Sequence, residues 1–197
     1  FITGGYDRAI ELWTVEKSLC SAVSVSLTIH HHSTIYSLTT LKDTSQKVVS
    51  SGADCIVNIW DLASERTIKS LRTSNMVYHV HATERPGCVL YEVAHRDSQF
   101  ELHDYRAHLG RPSLRFGFIT SAVNGRYMKG DIRGNTFVSG DRNGNIRHWD
   151  LRNVREPLQN VEVFPGQKIV QTAFDGDALA IVPEDNSLLF LNVKEGE

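Results

Sequence analysis

Long apolar runs are missing from this chain. None approaches the roughly 20 residues needed to cross a bilayer, so no membrane-spanning helix is expected. No segment sustains an apolar period of 3.6 residues, so helices should be scarce. Cysteine is sparse as well. Cys20, Cys55 and Cys88 are odd in number, far apart and free of any CxxC pair. That pattern suits reduced, packed thiols of an intracellular protein, nuclear or cytoplasmic, rather than a disulfide framework. The signatures of catalysis are absent too: no nucleotide-binding glycine loop, no HExxH, no GxSxG and no paired carboxylates at an identifiable site. The expectation is a protein that is not an enzyme and needs no cofactor or metal. The run His30-His31-His32 does not change this, because adjacent histidines of an extended loop cannot all face one ion.

What is present is a repeat. The chain reads Phe1-Ile-Thr-Gly-Gly-Tyr-Asp7 and closes on Trp13; Val49-Ser-Ser-Gly-Ala-Asp54 closes on Trp60. The run to Asp97 closes on His103, the run to Asn143 on Trp149, and the run to Asp185 on Leu191. An Asp or Asn stands six positions before each closing residue, and the closing residues are 47, 43, 46 and 42 apart. A period of roughly 40–45 residues ending in Trp-Asp is the mark of a propeller blade. Within a unit, short alternating stretches are separated by turn residues. The second unit predicts strands over Thr34–Leu41, Lys47–Gly52, Cys55–Trp60 and Arg66–Leu71, with a tight turn at Gly52-Ala-Asp54.

These residues resemble the WD-repeat β-propeller family over almost the whole chain. The resemblance implies an all-β fold: a partial propeller of about four to five four-stranded blades out of seven, in one domain. The approximate blades are 1–29, 30–72, 73–117, 118–165 and 166–197, with the first and last incomplete. Because the chain opens inside a repeat, further blades and any targeting signal are expected before Phe1, and the open blade edges are expected to associate. The family's structural tetrad maps best onto the second unit, as His32, Ser51 (or its neighbour Ser50), Asp54 and Trp60. Such a chain of polar groups satisfies itself internally. It has the composition of a hydrolase triad, but the turn Asp recurs without a matching His, which suits structure and not catalysis.

Two units carry an arginine two residues after the closing Asp: His103-Asp104-Tyr105-Arg106 and Trp149-Asp150-Leu151-Arg152. This resembles the WDxR box of substrate receptors for cullin-RING ubiquitin ligases, in which the box docks on the damaged-DNA-binding adaptor. Residues Phe137–Arg152 follow the longer form, departing at Asn143 and His148; the third unit departs at His103, and the second has Ala63 in place of arginine. By this resemblance Asp104, Arg106, Asp150 and Arg152 are the candidate docking residues. An arginine there presents a planar guanidinium to an acidic partner, or alternatively bonds its own Asp.

Charge is unevenly spread. From Arg96 to Arg155 there are eleven Lys and Arg against six Asp and Glu; from Glu156 onward there are two against eight. A basic middle suits chromatin, nucleic acid or an acidic partner, with Arg111, Arg115, Arg126, Lys129 and Arg133 as candidate contacts; it also suits arginines scattered over solvated strands. Tyr36, Tyr78 and Tyr127 are expected mainly in the core. The function implied is a protein-protein interaction scaffold, with a ubiquitin-ligase substrate receptor as its most concrete form and a chromatin- or nucleic-acid-associated binder as the alternative.

Overall fold

The computed structural model describes residues 1–42, 46–107, 112 and 114–193. These form eighteen strands and no helix. The strands are β1 (Ile2–Gly4), β2 (Ile10–Val15), β3 (Ala22–Leu27), β4 (Ile35–Thr40), β5 (Lys47–Gly52), β6 (Ile56–Asp61), β7 (Arg66–Arg72), β8 (Val77–Ala82) and β9 (Cys88–Val93). They continue as β10 (Phe100–Asp104), β11 (Leu114–Phe116), β12 (Asp131–Arg133), β13 (Thr136–Gly140), β14 (Asn145–Asp150), β15 (Gln159–Glu162), β16 (Ile169–Asp175), β17 (Ala178–Pro183) and β18 (Leu189–Asn192). Five meandering sheets result, three of four strands and two of three, each with neighbours consecutive in sequence. The all-β expectation holds. In the second blade the four strands fall within a residue of the positions read from alternation.

One backbone detail explains the repeat. The residue after the turn Asp or Asn has a left-handed φ in four blades: Arg8 at 67°, Cys55 at 59°, Gly144 at 88° and Asn186 at 65°. The turn carboxylate caps the N–H two residues on in three of them, Asp7 to Ala9, Asp54 to Ile56 and Asp185 to Ser187. An Asx turn of this kind holds the chain through a conformation that β-branched residues resist.

The chain divides into two compact units, Phe1–Ala94 with Glu101–Ser113, and His95–Phe100 with Leu114–Glu197. In the first, Val49, Val57, Ile59, Val77, Val80, Val89 and Tyr91 form one apolar core, and Ile10, Ile29, Ile35 and Trp60 a second. Val57 and Ile59, and Val89 and Tyr91, alternate along β6 and β9, whereas β8 contributes Val77 and Val80 across a register shift. In the second unit Val138, Ile146, Ile169, Leu179 and Ile181 pack together. Beside them Phe100 meets Phe137 edge-on at 4.8 Å, and Phe116 lies 5.0 Å from Trp149. Aromatic pairs at such spacings add to the area they bury.

Candidate interaction surface

The turn that ends the third strand of a blade is built the same way four times. The residue after the closing Asp or Asn donates its N–H to a carbonyl in the turn between the first two strands: Leu62 to Gln46, Tyr105 to Gly87, Leu151 to Asn135 and Val193 to Asp177. Both turns are thereby fixed at one edge of each blade. In the third and fourth blades an arginine completes the arrangement. Asp104 Oδ1 accepts from the Arg106 N–H and Nε, each at 3.0 Å, and Oδ2 accepts from Nη2 at 2.8 Å. Asp150 receives Arg152 in the same way, with N–H and Nε at 2.9 Å and Nη2 at 2.8 Å. The hydrogen bond from its arginine side chain is the main reason each of these carboxyls lies below its ordinary value. Bidentate pairing fixes the plane of each guanidinium.

The bond to the facing turn does not need an arginine. In the second blade Asp61 accepts from the Ala63 N–H at 3.1 Å and the Ser64 hydroxyl at 2.9 Å. No guanidinium is present, and the turn runs on differently: among the described residues the backbone bonds from Ala107 to Asp104 and from Asn153 to Asp150 have no counterpart at Asp61, and Glu65 takes a left-handed φ of 53°. Nor are the arginines buried: their side chains are 58% exposed at Arg106 and 73% at Arg152. Arg106 lies across Gly87, where a Cβ would stand 2.3 Å from its Nε. The left-handed glycine, at φ 78°, thus gives the guanidinium a flat bed.

The polar network of the second blade corrects the sequence assignment. His31, not His32, is the buried histidine. Its Nδ1 lies 3.1 Å from Asp54 Oδ2 and its Nε2 lies 2.8 Å from Ser50 Oγ. His32 contributes its backbone N–H to Asp54 at 2.7 Å. Asn58, at 3.3 Å from His31 Nε2, stands where Trp60 was expected. Ser51 Oγ and Trp60 Nε1 are buried without a hydrogen-bond partner. The expected indole bond does occur in the first blade, where Trp13 Nε1 donates to Thr3 Oγ1 at 2.8 Å.

The third and fourth blades solve the same problem with other residues. In the third, His103 replaces tryptophan, is buried, pairs with Glu101 at 2.9 Å and stacks on Tyr91 at 4.4 Å. His81 and Glu92, also buried, pair at 2.7 Å. In the fourth, Asp141 takes over from Asn143 as the turn acceptor. It receives the Asn143 and Asn145 N–H groups at 2.8 and 2.9 Å and Arg147 Nη1 at 2.6 Å. Arg147 in turn lies against Phe118, 3.9 Å from guanidinium carbon to ring centroid. The available signal was the six-residue spacing of Asp141 and Arg147 across the β13–β14 hairpin, where Arg147 faces Ser139.

The candidate nucleic-acid contacts do not share one role. Arg133 bonds the Gly176 carbonyl and lies 4.9 Å over Phe174, so it ties two sheets together. Arg126 donates to the Tyr127 hydroxyl at 2.6 Å and covers its ring. Tyr127 itself is exposed, against the core expectation, whereas Tyr36 and Tyr78 are half-buried with rings 5.8 Å apart. Arg115 and Lys129 are exposed. Arg111 lies outside the described residues. Among those described, no three His, Cys, Asp or Glu side chains are grouped to hold a metal, and no helix is long and apolar enough to cross a membrane.

Residues 23–61 match the family model of the WD domain, G-beta repeat. The matched segment runs from the outer strand of one blade through the first three strands of the next, so the WD repeat is offset from the sheet. The chain is 25% identical to eukaryotic translation initiation factor 3 subunit I of Drosophila grimshawi, over 73% of this chain and 46% of that protein. It is 27% identical to the methylosome protein WDR77 of Xenopus laevis, over 96% and 56%, and 25% identical to WD repeat-containing protein 37 of Mus musculus, over 66% and 27%. It thus spans about half or less of these relatives. Among solved structures, the computationally designed Ika8 protein superposes with a TM-score of 0.72 at 18% identity, covering 98% of this chain and 55% of that one. The designed Ika4 protein gives 0.65 at 16%, covering 83% and 94%. Likeness at that identity speaks for the fold alone. The five sheets have the meander of β-propeller blades, and residues 23–61 carry a WD repeat.

Proposed function

We propose that this chain is a non-enzymatic scaffold for protein-protein interaction, and that its Asp-Arg turns are docking points for a partner. One observation carries the reading. The second blade bonds to its facing turn and satisfies Asp61 with Ala63 and Ser64 alone, so an exposed guanidinium is one choice among several at this position. Arg106 and Arg152 are held flat, exposed and pre-oriented by their own carboxylates. A side chain fixed before binding loses less entropy on binding. The relatives' names, a subunit of an initiation factor and a methylosome protein, accord with work inside assemblies.

In its specific form, the chain is a substrate receptor that docks through Arg106 and Arg152 on the damaged-DNA-binding adaptor of a cullin-RING ubiquitin ligase. The test is capture of purified adaptor by the protein and by its Arg106→Ala/Arg152→Ala variant. Capture is expected to be lost while the melting temperature stays unchanged; undiminished capture by the variant rejects adaptor docking. The nucleic-acid alternative is weaker, because Arg133 and Arg126 are already engaged within the protein.

A further inference from the structure

The turn Thr83–Cys88 of the third blade stands among more cations than carboxylates. Thr83 Oγ1 donates to the Arg85 and Cys88 carbonyls at 3.1 and 2.9 Å, and the Cys88 N–H donates to Arg85 at 3.1 Å. The turn is therefore stiff. Beside it opens a cavity of about 50 Å³ lined by the apolar Leu41, Pro86 and Cys88 together with the charged Lys42, Glu84 and Arg85. That is room for one or two waters, or for the tip of one small apolar side chain. On the other side Arg106 lies over Gly87. Lys69 Nζ donates to the Tyr105 and Ala107 carbonyls, and Lys47 Nζ stands 5.7 Å over the Tyr105 ring.

Five cations, Lys42, Lys47, Lys69, Arg85 and Arg106, thus gather around these turns among the described residues. The carboxylates beside them are Glu84, Asp104 and Asp61, which faces Lys47 across the strands. Asp104 is consumed by Arg106, and Asp61 by Ala63 and Ser64. Glu84 makes a loose contact of 3.9 Å with Lys42, both side chains being more than half exposed. Burial raises the Cys88 thiol first and Asp104 raises it further; Arg85 and Arg106 pull it back, so both guanidiniums act on the same spot.

We infer that this cradle binds an acidic, extended segment of a partner protein that carries one apolar side chain. The carboxylates meet Lys42, Arg85 and the free flank of Arg106, and the apolar side chain enters between Leu41, Pro86 and Cys88. Charge-assisted bonds to arginine supply orientation, and the cavity supplies register. The inference rests on the scaffold reading above but not on the identity of the adaptor.

Fluorescence anisotropy with a labelled twelve-residue peptide of glutamates around one central leucine tests it. The full chain should bind this peptide, at least tenfold more weakly when glutamine replaces glutamate and several-fold more weakly when glycine replaces leucine. Lys42→Glu/Arg85→Glu should weaken binding tenfold or more, and Lys42→Gln/Arg85→Gln by less. Both variants change exposed side chains and should melt as the parent does. Equal binding of the glutamine peptide, or unchanged binding by both variants, overturns the inference. So does a twelve-nucleotide oligouridine that binds more tightly than the peptide and displaces it. The variants keep Arg106 and Arg152, so failure here and failure of adaptor capture are separate results.

Discussion

Arg147 lies face-on to Phe118, its guanidinium carbon 3.9 Å from the ring centroid, while its Nη1 donates to Asp141 at 2.6 Å. One cation thereby closes the fourth-blade turn from both sides. A partly desolvated cation–π contact contributes about 1 kcal/mol. A double-mutant cycle with Phe118→Leu and Arg147→Met, read by urea unfolding, should show a coupling of about that size. A coupling indistinguishable from zero would mean the ring only covers the arginine.

His31 and His32 should behave very differently. Replacing His31 with alanine leaves Ser50 Oγ and one flank of Asp54 without their partner in a buried site. The expected loss is about 1–3 kcal/mol in chemical denaturation. His32 is exposed and gives only its backbone to Asp54, so His32→Ala should change stability by less than about 0.5 kcal/mol. Equal losses at the two positions would contradict the network described.

The left-handed positions make a second pair. Cys55 holds φ 59° with an ordinary side chain, a strain that asparagine tolerates better. Cys55→Asn should raise the unfolding free energy by about 0.5–1 kcal/mol. Gly144 is the opposite case, since a Cβ there would stand 1.6 Å from the Phe164 carbonyl oxygen. Gly144→Ala should cost more than about 1 kcal/mol, or prevent folding outright, because backbone is what must give way. Thermal melts of both variants check this, and a wild-type melt for Gly144→Ala would show the turn to be far softer than its geometry.

Acid sensitivity should begin at His148. Burial, and then the charge of Arg133, hold its imidazole below the ordinary value of 6.5. The unfolded chain therefore takes up this proton first as pH falls. The contribution is complete above pH 6.5 and is lost as pH drops through the folded-state value. His148→Gln should reduce the fall in melting temperature between pH 7.5 and 5.5; an identical fall would assign the sensitivity elsewhere. Asp141 acts lower on the scale. Burial raises its carboxyl, but bonds from Asn145, Arg147 and Asn143 outweigh that and leave it below its ordinary 3.8. Its share is present above about pH 4 and lost below.

The strands of the second blade were legible because short β-branched stretches such as Ile56-Val-Asn-Ile-Trp60 are set off by turn residues, with Gly52-Ala-Asp54 marking the turn. The histidine was misplaced by one because three histidines stand in a row and spacing cannot choose among them. Only the path of the loop into β4 decides which ring turns inward. Asp141 escaped notice because the period points to Asn143, and the replacement of one turn acceptor by another two residues away leaves the period intact. Phe118 could not be paired with Arg147 from sequence, since that contact joins a loop to a strand 29 positions on. Arg106 and Arg152 were visible as residues, but their exposure and their bidentate hold on Asp104 and Asp150 were not.

The hydrogen bond from Leu62, Tyr105, Leu151 and Val193 to the facing turn uses atoms that every residue but proline carries. The position that follows is therefore an interchangeable socket: Ala63 in one blade, Arg106 and Arg152 in others, with the bond to the facing turn kept in each. A lineage or a designer can rewrite what these edges recognise one residue at a time, without renegotiating the fold beneath.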